Sequence, residues 1–313
     1  MKAKIFIDGS EGTTGLRIHE RFQGREDIEL LTIAPELRKD PQERKRLINA
    51  SDFTFLCLPD AAAREAVSMI ENDHVRIIDP STAHRTEPGW AYGFPELSPN
   101  HRQAVETGKR VAVPGCHATG FISLVYPLIA HGVLPADTPV SCFSLTGYSG
   151  GGKKMIADYE GEGRSPELDA PRIYGLGQQH KHLKEMQAIT GLEKPPIFSP
   201  IVADYYSGML VSLPLFGEML KGAPSMKTVW ELLAEHYAGQ KFVKVLPLGA
   251  EGSGMLSGNR RSGWDGLEIF VTGNDQRMVL SASFDNLGKG ASGAAVQCLN
   301  LMMGCPEETG LAL

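Results

Sequence analysis

The chain is short of cysteine, of long apolar runs and of positive charge, and each shortage excludes a class of protein. Its five cysteines, Cys57, Cys116, Cys142, Cys298 and Cys305, are odd in number and include no Cys-x-x-Cys pair. That pattern fits neither a disulfide framework nor a zinc site, and it points to a reducing compartment, the cytoplasm. No apolar stretch is long enough to cross a bilayer, and no basic-then-apolar leader precedes the first predicted strand, so neither membrane insertion nor secretion is expected. Lys and Arg total 31 against 37 Asp and Glu, a formal net charge of −6, which argues against sequence-independent binding of nucleic acid. Any anionic ligand must therefore be held by a local cluster of donors. There is no internal repeat and no low-complexity linker.

What is present is an ordinary globular composition. The 313 residues are 42% hydrophobic and 22% charged, enough for one large domain or two of common size. The N-terminal third alternates short apolar strands (Lys4–Asp8, Ile28–Ala34, Phe53–Leu58, Val75–Asp79, Arg110–Val113) with helical stretches (Thr14–Phe22, Pro41–Asn49, Ala61–Glu71). Strands that are apolar throughout and separated by helices predict a parallel sheet covered on both faces, a doubly wound α/β domain of the Rossmann type. Beyond about Val140 the pattern changes. Met209, Val211, Leu213 and Leu215 alternate with other residues, and Glu268–Thr272 and Met278–Phe284 flank Gly273-Asn274-Asp275 as a hairpin. Ser225 is placed to cap a helix. This region reads as α+β, with an antiparallel or mixed sheet. The last helix, about Ala291–Met303, is expected to pack back on the first domain.

The first strand runs into Asp8-Gly9-Ser10-Glu11-Gly12-Thr13-Thr14-Gly15. Glycines at this spacing permit a tight turn and close backbone approach, and the following helix offers N–H groups to a pyrophosphate; Ser10, Thr13 and Thr14 add hydroxyl donors. The second strand ends in Pro35-Glu36-Leu37-Arg38-Lys39. Glu36 fits a ribose 2′-hydroxyl, Arg38 and Lys39 fit a 2′-phosphate, and a solvated charge run is the third reading; the balance leans to NADP.

Pro114-Gly115-Cys116-His117-Ala118-Thr119-Gly120 precedes an apolar run, Phe121–Ala130, that suits a buried helix. Cys116 thus stands at a helix start, where the helix dipole and the first N–H groups favour a thiolate and an oxyanion beside it. Cys57, Cys142 and Cys298, in apolar runs, read instead as small buried hydrophobes.

With these motifs the chain resembles the N-acetyl-gamma-glutamyl-phosphate reductases, in particular the short form. The resemblance covers nearly the whole chain. It rests on Gly9–Gly15, Asp79-Pro80-Ser81-Thr82-Ala83-His84-Arg85, Gly93-Phe94-Pro95-Glu96-Leu97, Pro114-Gly115-Cys116, His180-Lys181-His182 and Asn286-Leu287-Gly288-Lys289-Gly290-Ala291-Ser292-Gly293. One departure is His117, where the family more often has an aromatic residue. The resemblance implies reduction of N-acetyl-L-glutamyl 5-phosphate by NADPH to the 5-semialdehyde with release of phosphate, in arginine biosynthesis. It also implies a fold shared with aspartate-semialdehyde and glyceraldehyde-3-phosphate dehydrogenases, and a homo-oligomer, a dimer or tetramer. On that footing residues 1–115, completed by 285–313, form the dinucleotide-binding domain, and 116–284 form a catalytic and oligomerisation domain of the semialdehyde-dehydrogenase type.

Roles follow for the other residues. His180 and His182 are acid–base candidates, facing one way if the backbone is extended; a solvated surface pair is the plain alternative, and no convincing third ligand supports a metal. Arg85, after a strand end, suits a phosphate or carboxylate, or a surface salt bridge. Ser149-Gly150-Gly151-Gly152-Lys153 can offer N–H groups and a cation to the leaving phosphate, or form a mobile loop. By resemblance Ser81, Asn286 and Gly288 lie with the cofactor. Two alternatives stand beside this reading: a related acyl-phosphate reductase such as an aspartate-semialdehyde dehydrogenase, and a nucleotide-sensing protein without catalysis.

Overall fold

A computed structural model describes residues 2–313 and divides them into two compact units. The first contains the chain up to Gly115 together with Ala291–Ala312; the second contains Cys116–Gly290 and Leu313.

The first unit is built from β1 (Ala3–Asp8), α1 (Thr13–Arg21), β2 (Ile28–Leu31), α2 (Pro41–Ala50), β3 (Phe53–Leu56), α3 (Asp60–Ser68), β4 (Arg76–Asp79), β5 (Ala91–Tyr92), α4 (Pro99–Thr107) and β6 (Arg110–Ala112). Its six strands pair in the order β2-β1-β3-β4-β6-β5, all parallel. Because successive side chains of a strand point to opposite faces, β1 feeds two cores. Ile5 and Ile7 join Ile18 and Phe22 on one side, whereas Phe6 joins Leu47, Ile48 and Ala66 on the other. The first of these cores is completed by the terminal helix Gly293–Met303, through Ala294, Val296, Cys298 and Leu299. Full burial of each such side chain is worth about 1.5–3 kcal/mol, which is why the apolar strands predicted the class of fold. Apart from β1, the predicted strands are shorter than their apolar runs. β2, at the sheet edge, pairs with β1 only from Ile28 to Leu31, and Pro35 then opens a short 3-10 turn.

The second unit contains α5 (Cys116–Ala130), β7 (Ser141–Gly147), α6 (Gly152–Glu160), β8 (Arg172–Ile173), α7 (Leu183–Thr190), β9 (Ile197–Ala203), β10 (Met209–Phe216), α8 (Met226–His236), β11 (Val243–Val245), β12 (Leu267–Asn274) and β13 (Arg277–Phe284). Its seven strands run β11-β12-β13-β10-β7-β9-β8, with β7–β9 and β11–β12 parallel and the other pairs antiparallel. Helix α5 has no polar face and is buried along its length between the sheet and helices α7 and α8. Ser225 caps α8, accepting from the Thr228 N–H.

Two local expectations shift. The hairpin turn is Asp275-Gln276, not Gly273-Asn274-Asp275: Asn274 is still in the strand, and its Oδ1 accepts from the N–H groups of Gln276 and Arg277. The alternation along β10 is incomplete as well. Met209, Val211, Leu213 and Leu215 are buried, but so are Leu210 and Ser212, and only Phe216 is open to solvent. The outer face is thus covered at one end of this strand and bare at the other. Register places Phe216 on the same face as Phe143, and Ile197 on that face too, on the strand next to Phe143; all three are exposed. No described helix is long and apolar enough to cross a membrane.

Candidate functional site

In the first unit, the turn after β1 depends on Gly9. Its φ is +87°, and a Cβ there would stand 2.2 Å from the Cys57 carbonyl oxygen, so only glycine fits. The Gly12 N–H donates to the Gly9 carbonyl, and α1 begins at Thr13 with no side chain capping its first turn. The N–H groups of Thr13, Thr14 and Gly15 therefore lie at an uncapped helix start. Alongside is a cleft of about 260 Å³ lined by Ser10, Glu11, Leu16, Leu31, Ile33 and Arg38, among others. Its apolar floor and polar rim fit the adenosine end of a dinucleotide. Arg38 lines it, paired at 3.0 Å with Glu11 of the glycine loop; Glu36, Arg38 and Lys39 are all exposed on the adjoining turn.

Ser81 and Arg85 are tied into the same unit. Ser81 donates to Asp79 through both its N–H (2.8 Å) and its hydroxyl (2.9 Å), and His84 Nδ1 lies 2.5 Å from the same carboxylate while stacking on Trp90. Arg85 is buried and donates to the carbonyls of Val113 and Pro80, both at 2.9 Å, so it braces the segments following β4 and β6.

In the second unit Cys116 is the first residue of α5 and is half-buried. Gly290 lies against it: a Cβ on Gly290 would stand 3.0 Å from the Cβ of Cys116. The next residue, His117, is buried and bonded at both ring nitrogens, Nδ1 to Ser144 Oγ at 2.8 Å and Nε2 to the Tyr174 hydroxyl at 2.6 Å. Burial, and then the positive charges of His180 and Lys181, push its pKa down to about 3. Around it stand His180 and His182, with ring centroids 5.5 and 5.6 Å from His117 and 4.7 Å from each other. His182 is buried, 4.0 Å from Glu185, and Phe198 packs on the rings of His117 and His180. Burial pushes the thiols of Cys57 and Cys142 well above the usual range, which disfavours the thiolate at either.

The glycine run after β7 is ordered. Ser149 is buried, its N–H donates to the Tyr206 carbonyl, and its hydroxyl accepts from Asn286 Nδ2 at 2.9 Å. Asn286 in turn accepts from the Gly208 N–H, and Gly288 donates to the Asp285 carbonyl. A Cβ on Gly150 would also meet Asn286. Lys153 is exposed on α6, away from these contacts. The structure thus joins His117 with His180 and His182, Cys116 with Gly290, and Ser149 with Asn286. Sequence reasoning passed over Tyr174 and Ser144. No local pattern marked Ser144, in β7, or Tyr174, on the loop after β8. Among the described residues no group of three or more His, Cys, Asp and Glu is placed to hold a metal ion.

Two domain families match in order, the semialdehyde dehydrogenase NAD-binding domain over residues 4–105 and the semialdehyde dehydrogenase dimerisation domain over residues 116–286. Solved structures of similar fold include aspartate semialdehyde dehydrogenase II from Vibrio cholerae complexed with ASA (TM-score 0.74, 16% identity, 97% of this chain and 99% of that one). Another is the aspartate semialdehyde dehydrogenase from Francisella tularensis (TM-score 0.73, 13% identity, 96% and 100%). The fold is that of the semialdehyde dehydrogenase class. Within that class, N-acetyl-gamma-glutamyl-phosphate reductase 2 of Nostoc sp. is 48% identical over 99% of both chains. The N-acetyl-gamma-glutamyl-phosphate reductase of Chelativorans sp. is 48% identical over 97% of this chain and 99% of that one. The chain belongs to the N-acetyl-gamma-glutamyl-phosphate reductase family.

A neutral buried His117 makes stability pH-dependent. Its pKa lies below the ordinary 6.5, so the unfolded chain takes up a proton that the folded chain refuses, and stability present above 6.5 is lost as pH falls toward 3. Between pH 6.5 and about pH 5 the loss should be roughly 2 kcal/mol in chemical unfolding. His117→Gln should flatten that acid-side slope; an unchanged slope would show that His117 is not the group responsible.

Proposed function

We propose that the chain reduces N-acetyl-L-glutamyl 5-phosphate to N-acetyl-L-glutamate 5-semialdehyde, with release of phosphate, as a step of arginine biosynthesis in the cytoplasm. The observation that carries the reading is Cys116 at the start of a buried helix, next to a cluster of three histidines. Cys116 attacks the acyl carbon as a thiolate; the bond from that carbon to the phosphate oxygen breaks, phosphate leaves with the electron pair, and a thioester forms on Cys116. The start of α5, at the positive end of the helix dipole, suits the oxyanion of this step. NADPH, when bound, supplies the hydride that converts the thioester to the aldehyde. His182 takes the thiol proton and returns one as the sulfur departs, while His180 binds the substrate carboxylate. Arg85, Ser149, Gly150 and Lys153 serve the substrate and its phosphate, with Arg85 bracing the backbone it binds and Ser149 holding the Asn286 side chain.

Residues 1–115, completed by 285–313, hold the cofactor. Gly9, Ser10, Gly12, Thr13, Thr14 and Gly15 take the pyrophosphate, Arg38 and Lys39 the 2′-phosphate of NADP, and Ser81, Asn286 and Gly288 the nicotinamide end. Residues 116–284 carry catalysis and assembly. The bare sheet face of Phe143, Ile197 and Phe216 supports a homo-oligomer formed by a second copy of the chain, in keeping with the dimerisation-domain match.

Four measurements test this reading. Cys116→Ser should abolish turnover and leave nucleotide binding intact, and more than about a tenth of normal kcat would sink covalent catalysis. In the same series His182→Asn should lower kcat by at least about 10²-fold and remove one limb of the pH–rate profile, while His180→Asn acts on KM. Changing Arg38 and Lys39 to Ala should raise KM for NADP and hardly affect NAD; parallel rises would mean that neither reads the 2′-phosphate. Phe143→Asp with Ile197→Asp should reduce the mass seen by light scattering, and an unaltered mass would move the interface elsewhere.

A further inference from the structure

His117 has an unusual set of constraints for a histidine one residue from a nucleophile. It is enclosed, it is uncharged, and both its nitrogens are already used. It therefore cannot serve as the base for Cys116, and what it does instead follows from its proton inventory. A neutral imidazole carries a single N–H, so one nitrogen donates and the other accepts. Two arrangements satisfy the chain Ser144–His117–Tyr174. In one, Nδ1–H donates to Ser144 and Tyr174 gives its own proton to Nε2, so the phenol turns only lone pairs outward. In the other, Ser144 donates to Nδ1 and Nε2–H donates to the Tyr174 oxygen, leaving the phenolic hydrogen to point elsewhere. The two differ by the rotation of two hydroxyl hydrogens and the imidazole tautomer, with no change of net charge.

We propose that Tyr174 is a further catalytic residue, a hydrogen-bond donor to the negative charge that develops at Cys116, and that His117 and Ser144 are positioning residues that hold the phenol in its donating arrangement. The inference rests on Cys116 being the nucleophile. A negative sulfur or oxyanion favours a neighbouring O–H that points its hydrogen inward, which selects the second arrangement. Tyr174 is within electrostatic reach of that charge. Its phenol is pushed up first by burial and then by the Cys116 thiolate, so it keeps its proton to give as a hydrogen bond. The titratable and charged groups gathered on this region are His180, Lys181 and His182 on the segment before α7, with Glu185 in its first turn. Of these, Tyr174 meets the ring of His180 edge-on at 6.1 Å, so removing only the phenolic oxygen leaves the aromatic packing in place.

The test reads the Cys116 thiol directly, from the pH dependence of its alkylation by iodoacetamide in the full-length protein. Tyr174→Phe should raise the apparent thiol pKa by about one to two units, the worth of one hydrogen bond to a charged group. It should lower kcat by at least about tenfold with KM for the nucleotide unchanged. His117→Phe should reproduce most of the thiol shift, and His117→Gln, which can still donate toward Tyr174 and accept from Ser144, should recover much of it. A thiol pKa that does not move in Tyr174→Phe overturns the proposal, as does equal behaviour of the Phe and Gln variants at position 117. The alkylation readout holds whether or not the thiol is the nucleophile. A failed Cys116→Ser test would therefore remove the catalytic reading, while an unmoved pKa would remove the Tyr174 contact.

Discussion

The enclosure of α5 is the constraint on which the site depends. A helix with no polar face cannot rest on a surface; it must be covered on all sides, and here the mixed sheet, α7 and α8 cover it. Covering it also fixes its first turn, where Cys116 and His117 stand. His117 is taken out of water with the rest of the helix, and an imidazole buried without partners would cost a few kcal/mol. Ser144 on β7 and Tyr174 beyond β8 answer that cost, one at each nitrogen. The demand for satisfied polar groups thus pulls side chains from three separate stretches of chain onto one point beside the thiol.

The nucleotide unit obeys a different constraint. Its sheet is buried on both faces, so the loops at the carboxyl ends of the strands are the places where backbone can meet a ligand. Gly9 bends the first of these loops because its backbone conformation and its contact with Cys57 exclude a side chain. Asp79 organises another by accepting from Ser81 twice and holding His84. Arg44 shows how much the interior tolerates: it carries charge into the unit and meets Asp8 at 3.0 Å, and burial still pushes the Asp8 carboxyl up. Removing one partner of such a pair would cost about 3–5 kcal/mol, because the other is left buried and alone.

Much of the architecture was legible in the sequence. Apolar strands set between helices announced a doubly wound sheet, and the later alternation announced a mixed one, because both patterns record which side chains must leave water. Boundaries were less legible. The apolar run after Ile28 extends beyond the β1 pairing that ends at Leu31, and the hairpin turn moved by two residues because the Asn274 side chain, not Gly273, makes its hydrogen bonds.

The sequence by itself determined the fold class, the glycine loop, the cysteine at a helix start and the family, since each is written in contiguous residues whose local chemistry is explicit. Only the tertiary structure decided which groups meet. His117 stood out only as a departure from the family's commoner pattern, yet it is the hub of a buried network. Glu36, Arg38 and Lys39 are all exposed on one turn, yet Arg38 lines the cleft and pairs with Glu11. Tyr174 carried no signal at all. The reason is physical: a hydrogen bond between residues 57 positions apart depends on how two elements pack, and burial, which sets the charge of His117, is a property of the folded chain and not of any residue type.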